Sequence, residues 1–208
     1  MSGVKVKICG VNDPVAFDTA VACGADWVGF VFFPRSPRYV TPAAAAALSG
    51  RHQGGPLRVG LFVDPTEAAI AEALEAVPLD VLQLYGAADV AAIRARFGLP
   101  VWRAVGVGIP ADLPRDMTGA DALLVEPKPP PGSDRPGGNA VQFDWGLLQG
   151  WTAPGPWLLA GGLTPTNVAE AIRATGAPAV DVSSGIERRR GEKDPALIRA
   201  FIEAARGA

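Results

Sequence analysis

At 208 residues, with 19 basic against 21 acidic side chains, the chain has the length of one well-cored domain and no sequence-wide basic field to attract nucleic acid or an anionic membrane. No apolar run reaches the roughly 18 residues that a bilayer-spanning helix needs, and no charged segment leads into an apolar core at the N-terminus, so a soluble, cytosolic protein acting on a small molecule is expected. The two cysteines, Cys9 and Cys23, form neither a CxxC pair nor a metal spacing and are read as free thiols.

The chain opens on Val4-Lys5-Val6-Lys7-Ile8-Cys9-Gly10, an alternation that puts Lys5, Lys7 and Cys9 on one strand face and Val4, Val6 and Ile8 on the other. Asn12-Asp13-Pro14 then starts a helix that runs to about Cys23, a small apolar residue among alanines. Trp27 to Phe32 is strand two, followed by a loop, Phe33 to Tyr39, in which two arginines, Arg35 and Arg38, are held by two prolines, Pro34 and Pro37, and Thr41-Pro42 caps an alanine-rich helix. Leu57 to Val63 is strand three, with a helix from Thr66-Glu67 to about Val77. Val81 to Leu84 is strand four, and Asp89 to Phe97 is a helix closed by Gly98.

Val101 to Val107 is strand five, carrying Arg103, an unusual charge for the middle of a strand. Pro110 to Thr118 is a helix interrupted by Pro114. Ala122 to Pro127 is strand six. It leads into the longest loop, Lys128 to Gln142, whose proline and glycine content and length suit a lid. Asp144 caps a sixth helix, and Trp157 to Ala160 is strand seven, ending in Gly161-Gly162. Thr164-Pro165-Thr166-Asn167 opens a seventh helix. Ala179 to Val182 is strand eight, ending in Ser183-Ser184-Gly185, and Asp194-Pro195 opens the last helix. Eight strand-helix units in one domain spanning 1–208 predict an α/β fold, a single (β/α)8 TIM barrel of parallel strands.

In such a barrel, reactive groups sit at the C-terminal ends of strands. Lys7, Cys9, Gln83, Arg103, Glu126 and Asp181 lie opposite apolar neighbours or near those ends. A structural ion network, Lys7 or Arg103 with Asp181, is the competing reading for the lysine and the arginine. Cys9 and Glu126, at strand ends, make a base and acid pair. A lysine beside a thiol eases its deprotonation, and an apolar mouth keeps a carboxyl protonated. Gly161-Gly162 and Ser183-Ser184-Gly185 follow the last two strands, the position where such barrels cradle a phosphate ester on backbone N–H groups. His52, the only histidine, falls in a polar loop and is read as surface.

Lys7-Ile8-Cys9-Gly10, Gly29-Phe30-Val31-Phe32 with Ser36-Pro37-Arg38-Tyr39, Leu82-Gln83-Leu84, Gly137-Gly138 with Phe143-Asp144-Trp145, Gly161-Gly162-Leu163 with Asn167-Val168, and Val180-Asp181-Val182-Ser183-Ser184-Gly185 occur in that order along nearly the whole chain. Together they resemble the phosphoribosylanthranilate isomerases of tryptophan biosynthesis. The resemblance implies an aldose-ketose type isomerase that needs neither metal nor cofactor and acts on a phosphoribosyl small molecule, as a monomer or homodimer. By that resemblance Cys9 is the general base and Glu126 the general acid. Arg38 faces the anthranilate carboxylate, and Asp181 holds sugar hydroxyls or the amine. Lys7, Gln83 and Arg103 join the substrate site, and Gly161, Gly162, Ser183, Ser184 and Gly185 hold the phosphate.

Three positions depart from the family pattern: Glu126 replaces an aspartate, Tyr85 a histidine, and Ala140 a glycine. The two carboxyl types differ by only about 0.4 in reference pKa. An extra methylene, however, moves the group by about 1.5 Å, so geometry rather than acidity is what the replacement changes. A phosphosugar-binding relative with weak or no turnover is the alternative. A metal-dependent sugar-phosphate epimerase fits poorly, because it needs several histidines.

Overall fold

The computed structural model describes residues 3–129, 132 and 142–208. Eight strands, β1 (Lys5–Cys9), β2 (Trp27–Val31), β3 (Leu57–Val63), β4 (Val81–Tyr85), β5 (Val101–Val107), β6 (Ala122–Pro127), β7 (Trp157–Leu159) and β8 (Ala179–Val182), pair in parallel with their chain neighbours. The ring closes where β1 meets β8, from Lys5 opposite Ala179 to Ile8 opposite Val182. The expected barrel is thus formed, with strand ends within a residue or two of those read from the sequence.

Among the described residues the outer helices are α1 (Pro14–Ala22), α2 (Pro42–Ser49), α3 (Glu67–Ala76), α4 (Val90–Phe97), α5 (Val168–Thr175) and α6 (Pro195–Arg206). Their starts follow from side-chain caps: Asp13, Thr41, Thr66, Asp89 and Asp194 each accept a hydrogen bond from a first-turn amide, at 2.8–3.2 Å. Two expected helices shrink to single 3-10 turns, Pro110–Asp112 and Trp145–Leu148. In the first, Pro114 has no N–H to return to the Pro110 carbonyl, so an α-turn cannot close. In the second, Gln149 is already extended (ψ 121°), and Gly150 beyond it takes a left-handed conformation (φ 76°), so the segment stops after one turn. A feature not anticipated is the hairpin β9 (Glu187–Arg189) and β10 (Glu192–Lys193) between β8 and α6, turning at Gly191 (φ 82°).

Strand alternation divides the core in two. Val6, Ile8, Phe30, Phe62, Leu82, Leu123, Leu159 and Val180 point outward and pack under the helices. Pointing inward at the N-terminal end, Trp27, Val59, Val81, Trp102, Ala122, Leu158 and Ala179 form a separate apolar floor, with the two indoles edge to face at 5.2 Å. The aspartates before β2, β4 and β6 finish that end. Asp26, Asp80 and Asp121 each accept an amide from the first two residues of the preceding strand, from Val6, Arg58 and Val101, at 2.7–2.9 Å. No described helix is long and apolar enough to cross a membrane.

Candidate active site

Above the floor the inward positions become polar. Lys7 and Asp181 are register partners on β1 and β8, and the Lys7 ammonium, fully buried, donates to Asp181 Oδ1 at 2.7 Å. Two residues on, Cys9 ends β1 on the same face. Gly29 of β2 leaves room for both, since a Cβ there would lie 3.0 Å from Cys9 Sγ and 3.2 Å from Lys7 Nζ. Burial works against the Lys7 charge, yet Asp181 and Cys9 outweigh it and hold its pKa above the ordinary lysine value.

The thiol behaves differently from what a neighbouring lysine alone would imply. Burial, the larger effect, pushes the Cys9 pKa up; Lys7 opposes this, and the negative charge of Asp181 adds to it. Burial therefore favours the thiol over the thiolate at rest, and Asp181, which already pairs with the lysine, reinforces it.

Across the barrel, Glu126 ends β6 on the inward face, 6% exposed. The Tyr85 hydroxyl, at the end of β4, accepts from Gln83 Nε2 at 3.3 Å and has the Glu126 carboxyl as a neighbour. Burial, reinforced by the charges of Glu126, Cys9 and Asp181, lifts the phenol pKa well above its usual range. Tyr85 packs with Cys9, and Cys9, Glu126 and Asp181 all occupy inward positions toward the C-terminal ends of their strands, around a common mouth. The sequence marks Tyr85 as a departure from the family pattern but not as a site residue, although it stands two positions after Gln83 and so shares its face.

The rim carries a second buried ion cluster. Arg38, after β2, forks onto Glu187 through Nε and Nη2, at 2.6 and 3.0 Å, and its stem crosses Gly10 (φ 71°), where a Cβ would clash with it. Glu187 also accepts from Lys193 Nζ at 2.9 Å and from the Gly191 amide at 3.0 Å. Burial alone would raise the Glu187 pKa, but these donors hold it at about 2. Burial draws the Lys193 ammonium down to about 8, with Glu187 resisting. Lys193 further donates to the carbonyl of Ser183 at 2.8 Å and to its hydroxyl oxygen at 3.2 Å. Neither Glu187 nor Lys193 was picked from the sequence; the charges flanking Arg190-Gly191 are the hairpin signal that could have found them.

The glycine turns after β7 and β8 do meet. A Cβ on Gly185 would run into the Leu163 carbonyl, so the two loops touch through bare backbone, and Gly161 (φ 93°) and Gly162 (φ 65°) need conformations that side chains disfavour. Asn167 secures the first loop, accepting from the Thr164 amide at 2.8 Å and donating to the Gly162 carbonyl at 3.0 Å. Ser184 begins a short 3-10 turn, Ser184–Ile186.

Arg103 is not part of this mouth, which corrects the sequence expectation. It pairs in register with Leu84 and Leu123, both of which face outward, and its guanidinium donates to Thr118 on the outside of the barrel at 3.0 Å. With only a 3-10 turn between β5 and β6, that face stays open enough to water for a charge to sit on it. The proposed lid lies largely outside the described residues, as do Gly137, Gly138 and Ala140. His52 is partly exposed beside Asp18, 3.0 Å away, as expected of a surface group. Among the described residues no three or more histidine, cysteine or carboxylate side chains cluster to hold a metal ion.

Comparison with known proteins bears on this geometry. The model of the family described as N-(5'-phosphoribosyl)anthranilate (PRA) isomerase matches residues 6–204. The protein of that name from Acidiphilium cryptum is 59% identical over 205 residues, covering 98% of this chain and 99% of the relative. A crystal structure of monomers generated from the dimeric phosphoribosylanthranilate isomerase of Thermotoga maritima superposes with TM-score 0.83 at 34% identity, covering 99% of this chain and 100% of that one. A second crystal structure, of a phosphoribosylanthranilate isomerase in complex with reduced 1-(o-carboxyphenylamino)-1-deoxyribulose 5-phosphate, gives 0.81 at 33% identity with the same coverage.

Proposed function

The chain belongs to the N-(5'-phosphoribosyl)anthranilate isomerase family, enzymes of tryptophan biosynthesis, and on that premise we propose that Cys9 and Glu126 carry out its Amadori rearrangement as base and acid. The observation that supports this most is the shared mouth: a thiol at the end of β1, packed with Tyr85, and a carboxyl near the end of β6, both buried on the inward face of the ring.

In this reading the Glu126 carboxyl gives its proton to the furanose ring oxygen of N-(5'-phosphoribosyl)anthranilate. The C–O bond at C1 breaks and leaves a cationic Schiff base. Cys9 takes the proton from C2, and the C2–H electron pair neutralises the iminium to give an enolamine. Tautomerisation then yields 1-(2-carboxyphenylamino)-1-deoxyribulose 5-phosphate. The raised thiol pKa fits this order of events. A cationic Schiff base beside Asp181 offsets the carboxylate that opposes the thiolate, so the base is drawn out when the acidic C2–H is present. Lys7 stabilises the thiolate as it forms.

Arg38 takes the anthranilate carboxylate, its Nη1 being left over from the fork to Glu187. Asp181 binds sugar hydroxyls or the amine, with Gln83 and Lys7 beneath. The backbones of Gly161, Gly162, Ser183, Ser184 and Gly185 take the phosphate, where glycine allows N–H groups to approach closely. No cofactor enters this scheme.

Purified protein followed by loss of substrate fluorescence tests the reading. Cys9→Ser and Glu126→Gln should each lower kcat by about 100-fold or more, the usual size of a lost acid or base, with product-analogue affinity kept. Tight binding without turnover in the unsubstituted protein would favour the phosphosugar-binding alternative. Turnover that survives both substitutions would remove the pair from the mechanism.

A further inference from the structure

The departure from aspartate at position 126 raises a question that the mouth itself answers. A glutamate side chain has one more rotatable bond than an aspartate, and a carboxyl that wanders by about 1 Å can cost on the order of 100-fold in rate. Tyr85 offers Glu126 a fixed donor. The Tyr85 ring is packed with Cys9, Val31 and Leu61, and its hydroxyl is braced from below by the amide of Gln83, which is completely buried. Strand pairing sets the spacing. Gln83 and Tyr85 are inward positions of β4, and Glu126 is an inward position of β6, one strand beyond β5. Between them β5 offers Ala104 and Gly106 on the same face, small enough for the tyrosine and glutamate side chains to reach each other across it.

We propose that Tyr85 is a positioning residue for the reaction: its hydroxyl, oriented by Gln83, holds the longer Glu126 carboxyl at the place from which it protonates the substrate, so that Tyr85 and Glu126 act as one unit. The proposal rests on the general-acid reading of Glu126. The phenol suits the task because it stays protonated throughout the working pH range and so never stops donating. Its partner Gln83 has no proton to lose. The positioning device is therefore insensitive to pH even though the group it positions titrates.

A double-mutant cycle of Tyr85→Phe and Glu126→Asp tests this, with kcat, KM, affinity for reduced 1-(o-carboxyphenylamino)-1-deoxyribulose 5-phosphate and melting temperature measured for each variant. Tyr85→Phe should lower kcat by about 10–100-fold while KM and analogue affinity change less than about threefold. Glu126→Asp should also lower kcat, because the shorter side chain draws back from the hydroxyl. The double variant should be no slower than Glu126→Asp alone, since the contact is already gone. If Tyr85→Phe does not fold, Gln83→Met gives the same reading with a smaller fall in kcat.

Three results would overturn the proposal: kcat of Tyr85→Phe, or of Gln83→Met where that variant stands in, within twofold of the parent; losses in the cycle that simply multiply; or a Glu126→Asp enzyme faster than the parent. Failure of the underlying reading shows separately. If Glu126→Gln keeps full activity, Glu126 is not the acid, whatever Tyr85 does.

Discussion

At the N-terminal end of the barrel seven inward apolar side chains, two of them indoles, close the ring, and the aspartates beside them are spent on amides at the starts of strands. At the C-terminal end the same inward positions carry an ammonium, a thiol, a phenol, an amide and two carboxyls, most of them buried. Identical backbone geometry thus supports both a filler and a reaction site, and only side-chain chemistry distinguishes them. The floor is stable because, apart from the two indole N–H groups, its side chains carry no polar atoms to satisfy. The mouth is tolerable because almost every polar atom is matched, and the exception, Gln83 Oε1, has no hydrogen-bond partner among the described residues.

The contrast is tested most severely by one substitution at each end. Lys7→Met leaves Asp181 buried without its cation, and Trp102→Ala opens a cavity in the floor; each should cost about 3–5 kcal/mol of stability. Urea unfolding followed by circular dichroism would measure both. Kinetics then separate them: kcat should fall by about 100-fold or more in Lys7→Met, which also loses its thiolate partner, and stay within twofold in folded Trp102→Ala. Equal loss of kcat in both would mean that the floor shapes the chemistry as much as the mouth does.

Much of this division was readable from the chain. The alternation in Val4 to Cys9 names both faces of β1, and β-branched and aromatic runs punctuated by Asp-Pro and Thr-Pro caps give eight strands with little error in their ends. Arg103 was misplaced because strand parity needs a reference: Val101-Trp102-Arg103 reads equally well with either face inward until Trp102 is seen against Trp27. Tyr85, noted as a departure from the family pattern, was not placed in the site because strand four was ended one residue early. Glu187 and Lys193 were passed over because a charged tripeptide of arginines looks like solvated loop, and only the hairpin fold turns Glu187 back toward Arg38. The shortened helices failed for local reasons, a proline without its amide and a glycine in a left-handed turn.

A smaller effect should come from the rim, where Glu187 links Arg38 to Lys193. Its folded-state pKa of about 2 lies below the ordinary 4.5, so the stability it contributes is fully present above about 4.5 and is lost as pH falls toward 2. Glu187→Gln should lower stability at neutral pH by about 1.5–3 kcal/mol, the range for hydrogen bonds to charged groups. The difference in melting temperature from the parent should shrink steadily as pH drops from 5 to 2. A difference that stays constant over that interval would show that the carboxylate's charge is not what holds the rim together.

The smallest expected effect is also the one that tests the boundary of the mouth most directly. Arg103 is a strand residue with a charge, and from sequence alone it belongs with Lys7 and Asp181. Its outward register and its bond to Thr118 give it no path to the substrate, because the β5 backbone stands between them. Arg103→Ala should therefore leave kcat and KM within twofold of the parent and change stability by less than about 1 kcal/mol, as expected of a partly exposed polar contact. A tenfold rise in KM would put the guanidinium back among the groups that bind the substrate, and with it would fall the assignment of inward positions on β5 to Trp102, Ala104 and Gly106, on which the reach of Tyr85 to Glu126 depends.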